Sequence, residues 1–185
     1  MSLQIGHFFA ELIKDEPLNI YGWLLVCFCI GAFLVLVFRG VKRGWKAMCL
    51  LLLGEYLLFI YCSTVIFRPF QEEIGSNFIP FWSYFAYDKV ERPDLLPEII
   101  LNIVVFIPVG LLLGCTFHNM RWWNALLVGC FVSASIESMQ FFLKRGFAEF
   151  DDVMHNVLGC MIGYGVFSLV RKGYEKHSKR RVAVL

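Results

Sequence analysis

Residues 125–143 read ALLVGCFVSASIESMQFFL, a run whose only formal charge is Glu137. At 1.5 Å per residue a helix of this length covers about 28 Å, close to the thickness of a bilayer's hydrocarbon core. Such a run is either a membrane span or a buried core helix, and the rest of the chain decides between them. Of 185 residues, 58% are hydrophobic and 17% charged, with mean hydropathy +0.65. Soluble domains hold about 45–50% apolar and about 25% charged residues, so both fractions are shifted toward the bilayer. This excludes a disordered chain, a disulfide scaffold and an ordinary soluble enzyme domain.

Working outward, four more runs approach span length: Asn19–Phe38, Ala47–Phe67, Ile99–Phe117 and Val153–Val170. The chain is therefore read as all-α, a single domain over 1–185 forming a polytopic membrane helix bundle of about five transmembrane helices. Ile5, Phe8, Phe9, Leu12 and Ile13 share a helical face ahead of the first span, which fits a short N-terminal interfacial helix. Residues 1–18 carry Glu11, Asp15 and Glu16 where a signal peptide would be basic.

Charge orients the bundle. With the N-terminus outside, the cytoplasmic segments hold Arg39, Lys42, Arg43, Lys46 and Arg121 together with the basic tail from Arg171 to Arg181. The exterior keeps Lys14, Arg68, Lys89, Arg92, Lys144 and Arg145. The cationic excess inside predicts N-out, C-in. The seven cysteines sit in or beside apolar runs without paired CxxC spacing, which reads as packing.

Ionisable groups within spans are costly and need a partner, a proton or a water-filled cavity. Glu137, Gln140 and Ser133 lie on one helical face at i, i+3 and i−4, with Glu137 roughly 10 Å below the outer helix end. Asp152, His155, Asn156, Gly159 and Gly163 share a face of the last span, polar at its exterior start and small further in. Asn102 opens the third span, while Arg68, Arg145 and Asp151 stand in the flanking loops. The candidate binding set is thus Arg68, Asn102, Glu137, Gln140, Arg145, Asp151, Asp152 and Asn156, predicted to meet near the outer leaflet.

Each member has a plainer reading. Asn102 and Gln140 can simply bond across helices, Asp151 can be an exposed loop acid, and Asp152 can cap the last helix. His155 reads as a packed histidine or as part of the network. Glu55, near mid-membrane, belongs to the same cavity or is a separate protonated acid. Gly110, Gly114, Gly159 and Gly163 read as packing glycines, and Pro108 as a kink. No HxxxH or HExxH pattern occurs, so no metal is expected. There is no serine elbow, phosphate loop or dinucleotide fingerprint, so no catalytic residue can be named, and neither a cofactor nor a nucleic-acid partner is expected.

Four segments carry a family pattern: Asn77-Phe-Ile-Pro80-Phe81, Asn102-x-x-x-Phe106-x-Pro108-x-Gly110, Glu137-x-x-Gln140, and Asp151-Asp152-x-x-x-Asn156-x-x-Gly159-x-x-x-Gly163-Tyr164. In order and spacing they resemble the VanZ-like family of membrane proteins, and Arg68 and Arg145 fit the same pattern. His155 stands where that family usually has an apolar residue. The resemblance implies a bacterial cell-envelope protein, multi-pass in the cell membrane with its functional face extracytoplasmic. It also implies reduced susceptibility to teicoplanin, a lipoglycopeptide antibiotic. The partners it suggests are membrane lipids, a lipid-linked peptidoglycan precursor or the lipoglycopeptide itself. Three mechanisms stay open at this point. One is a non-catalytic lipid-binding pocket with Arg68 and Arg145 on an anionic group. A second is an intramembrane enzyme using Glu137. The third is a scaffold recruiting wall-synthesis proteins through the aromatic run Phe78–Tyr87.

Overall fold

The structure, a computed structural model, describes residues 31, 42–72, 75–84, 95–117 and 119–182. The N-terminal interfacial helix and, apart from Gly31, the first span lie outside the described residues.

Helix α1 runs Lys42–Tyr61 and continues as a π-helical turn, Cys62–Ile66. Helix α2 is Leu95–Thr116, α3 is Trp122–Phe142 and α4 is Phe150–Val182. Two-residue strands, β1 (Ser76–Asn77) and β2 (Ala148–Glu149), pair in parallel with Ser76 opposite Ala148 and Asn77 opposite Glu149. The described residues contain four helices long and apolar enough to cross a membrane: Gly44–Ile66, Leu95–Thr116, Trp122–Phe142 and Phe150–His177. These are the later four of the five expected spans.

Boundaries moved where local chemistry overrode hydropathy. Helix α2 starts a turn before Ile99, because Pro97 in its first turn has no amide hydrogen to waste there. Pro108 sits inside α2 without ending it. Helix α4 begins at Phe150, so Asp151 and Asp152 lie in its first turn and not in the preceding loop.

The burial pattern is that of a protein in lipid. Leu53, Ile60, Phe106, Val109, Ile136 and Cys160 form the shared core, whereas Phe131 on the outer face of α3 is 76% exposed. The tightest seam joins α2 and α4, which run in the same direction. A Cβ at Gly159 would meet the carbonyl oxygen of Ile103, one at Gly163 that of Ile107, and one at Gly110 that of Cys160. Backbone thus packs on backbone, the arrangement that small-xxx-small spacing allows in membranes. Tyrosine hydroxyls lock the remaining seams: Tyr56 donates to the Val105 carbonyl at 2.9 Å, Tyr164 to the Met120 carbonyl, and Tyr61 bonds Ser135.

This seam sets the register of the site. It fixes the first turns of α4 beside the start of α2, and α3 returns antiparallel to bring Glu137 and Gln140 to the same end.

Candidate functional site

At that end α3 stops at Phe142 and the chain reverses through Lys144, held in the left-handed region at φ 54°. Leu143 N–H donates to the Met139 carbonyl and Arg145 N–H to that of Gln140, both at 2.9 Å, closing the helix without a glycine. The reversal aims Arg145 at the end of α1. Its guanidinium donates to the carbonyls of Ile66 and, at 2.9 Å, of Arg68. Gln140, itself buried, donates through Nε2 to the Thr64 carbonyl at 3.0 Å. Thr64 and Ile66 belong to the last turn of that helix, where carbonyls lack an intrahelical partner, and Arg68 follows it. Both side chains therefore act first as backbone partners. Arg145→Ala strips donors from two carbonyls at once and is expected to cost about 1–3 kcal/mol. Thermal unfolding in detergent reads this, and a stability equal to wild type would refute it.

Arg68 is placed differently. Its Nη1 lies over Gly146, 2.6 Å from where a Cβ would stand, with the Gln140 side-chain carbonyl 3.3 Å from the same point. The residue is solvent-accessible. Its charge acts on both Glu137 and Asp152, yet among the described residues neither carboxylate reaches ion-pair distance of it. Glu137 is buried and accepts the Glu149 N–H on Oε2 at 3.1 Å. Asp152 is half-buried beside it, and Glu98 and Glu149 add to the same negative field.

Asp151 is the third construction. The exposed loop acid considered from sequence is instead 2% exposed. Its Oδ1 accepts Phe81 N–H at 2.6 Å, and its Oδ2 accepts Ser83 N–H and Ser83 Oγ–H, both at 2.8 Å. A carboxylate accepting three donors is well satisfied, and here it ties residues 81–83 to the first turn of α4. Asp152, next along, lies inside the helix and is not its cap. One turn on, His155 Nε2 bonds the Tyr84 hydroxyl at 2.9 Å while its buried Nδ1 has no partner among the described residues. Asn156 donates to Ser133 Oγ at 2.9 Å, joining α4 to α3 below Glu137. Asn102 has its Nδ2 buried and without a partner among the described residues.

Arg68, Glu137, Gln140, Arg145, Asp151, Asp152 and Asn156 thus gather at one end, with Asn102 at the adjoining start of α2. Glu55 stands apart: its buried Oε2, with no hydrogen-bond partner among the described residues, lies 3.1 Å from where a Cβ on Gly31 would be. Among the described residues no three His, Cys, Asp or Glu side chains assemble with metal-ligating geometry. A concavity of about 400 Å³, lined by Leu113, Phe117, Met120, Asn124, Leu127 and Val128, opens at the opposite end of the bundle and is mainly apolar. Sequence reasoning missed Thr64, Ser83, Gly146 and Glu149, and it took Tyr84 only as part of the aromatic run Phe78–Tyr87.

A family model described as VanZ/LLP1 matches residues 50–171. "Protein VanZ" of Enterococcus faecium is 29% identical over 87 residues, covering 47% of this chain and 54% of that protein. The chain thus spans about half the length of that curated relative. No solved structure matches.

Proposed function

The chain belongs to the VanZ/LLP1 family, and from that membership we propose that it lowers susceptibility to teicoplanin-type lipoglycopeptides by binding at a polar site in the outer leaflet. The charge distribution favours placing the polar end outside. There a lipid-linked precursor, a lipid headgroup or the drug itself would meet the site. Arg68 carries the reading: an exposed arginine whose guanidinium is seated over Gly146, with no ion pair among the described residues, suits a phosphate or carboxylate. Asn102 supplies a donor without a partner among the described residues, with Glu137 and Asn156 beneath. Arg145 and Gln140 hold the end of α1, and through it the backbone that carries Arg68.

The test is expression in a susceptible Gram-positive host with teicoplanin and vancomycin inhibition compared. A rise selective for the lipidated drug is expected; equal effects on both drugs, or none, would remove the proposal.

A second reading, an intramembrane enzyme acting on a lipid-linked substrate, draws on one observation. Glu137 and Asp152 are neighbouring carboxylates in a single field, the kind of pair that divides acid and base roles. Glu137→Gln separates the two. A binder keeps most of its protection because the amide still accepts the Glu149 N–H, whereas an enzyme using that acid loses nearly all of it.

A further inference from the structure

The loop over the site, residues 75–84, contains no charged residue and shows Phe78, Ile79, Phe81, Trp82 and Tyr84 to the outside. Loops that face water seldom do this. This one is also held rigidly. Ile79 N–H closes a turn on the Asn77 side chain at 3.1 Å, and β1 is zipped to β2. Phe81 sits at φ 64°, a left-handed conformation that strains a non-glycine residue. The Asp151 carboxylate offsets that strain through the Phe81 N–H. A buried acid on α4 thus holds an apolar tip in place.

The depth of that tip follows from α3. Exposed Trp122 and Trp123 stand at one end of the helix and exposed Phe142 at the other. The 20 steps between Trp122 and Phe142 rise about 30 Å, the thickness of the hydrocarbon core. Trp and Tyr mark membrane interfaces, so Trp122 and Trp123 set one boundary and the rise of α3 sets the other at the level of Phe142. Asp151 is the second residue of α4, and β2 directly precedes that helix, so the loop is pinned at the level of Phe142 and of exposed Phe150. Its exposed Trp82 and Tyr84 stand at that boundary.

We infer that residues 78–84 form an interfacial membrane anchor, with Trp82 and its neighbours inserted among the lipids of one leaflet and Asp151 as the latch that holds them there. The anchor stands whether or not the polar site binds a precursor.

The test uses the full chain in lipid nanodiscs with its five tryptophans replaced by 5-fluorotryptophan. The ¹⁹F resonance lost in Trp82→Phe identifies Trp82. A nitroxide at carbon 5 of the lipid chain and a water-soluble gadolinium chelate are then compared. The Trp82 resonance is expected to lose more intensity to the lipid nitroxide than to the chelate. The reverse order would place the tip in water. No loss to either would mean that protein covers it, whether another segment of this chain or a second copy. Both results overturn the anchor. Asp151→Asn, which sets an amide against one of the two backbone donors, is expected to weaken the nitroxide effect. Ser83→Ala, which removes only the hydroxyl bond, is expected to do so less. If neither variant changed the nitroxide effect, the latch would be refuted.

Discussion

Gly163→Ala is expected to destabilise the protein by about 2–3 kcal/mol or more, and Gly159→Ala by a similar amount. At each position the added methyl meets a backbone carbonyl of α2, Ile107 and Ile103 respectively, and a backbone cannot swing aside as a side chain can. The helices must part along the seam, losing contact on both sides. The control lies on the same helix. A Cβ at Gly165 or Gly173 would meet nothing within 4 Å, so alanine there should be neutral or stabilise by up to about 1 kcal/mol through helix propensity. Thermal unfolding in detergent, followed by circular dichroism, compares the four variants. Gly163→Ala melting with Gly165→Ala would show that the seam is looser than described. Protection should fail along with stability in the seam variants, because parting α4 from α2 also shifts Asp152 and Asn156 relative to Glu137.

Gly146→Ala is expected to abolish protection while leaving the fold nearly intact. The new Cβ would stand 2.6 Å from Arg68 Nη1, and the far end of an arginine moves cheaply. The guanidinium would leave its seat beside Gln140, and the field around Glu137 and Asp152 would lose its cation. Arg68→Ala should return drug susceptibility to that of the host without the protein. Arg68→Lys should recover only part, since an ammonium keeps the charge but not the fork. Melting temperature and membrane abundance serve as the parallel readout. Full protection in Gly146→Ala, with normal abundance, would mean that the seat of Arg68 is irrelevant to function.

The helical bundle was legible because hydropathy and span length are strong, local signals. The grouping of Glu137 with Gln140, and of Asp152 with Asn156, was legible because helical periodicity places side chains on faces. What periodicity cannot show is which partner a polar group finds. Arg68 and Arg145 look equivalent in the chain, yet one lies open over a glycine and the other is bonded to carbonyls at and just beyond the end of a π-turn that hydropathy does not reveal. Asp151 is similar: its three donors come from residues about seventy positions earlier, brought near by long-range contacts such as the pairing of β1 with β2. Gly146 carried no sequence signal, because its role is the space it leaves empty.

The irregular turn at Cys62–Ile66 makes the length of its stretch a fixed quantity. A π-turn takes in more residues than an α-turn. Deleting a single position there would let it tighten to α-geometry and redirect the carbonyls of Thr64 and Ile66 away from the amide of Gln140 and the fork of Arg145. Changes of side chain in this stretch are a matter of degree, but a change of count dismantles the corner.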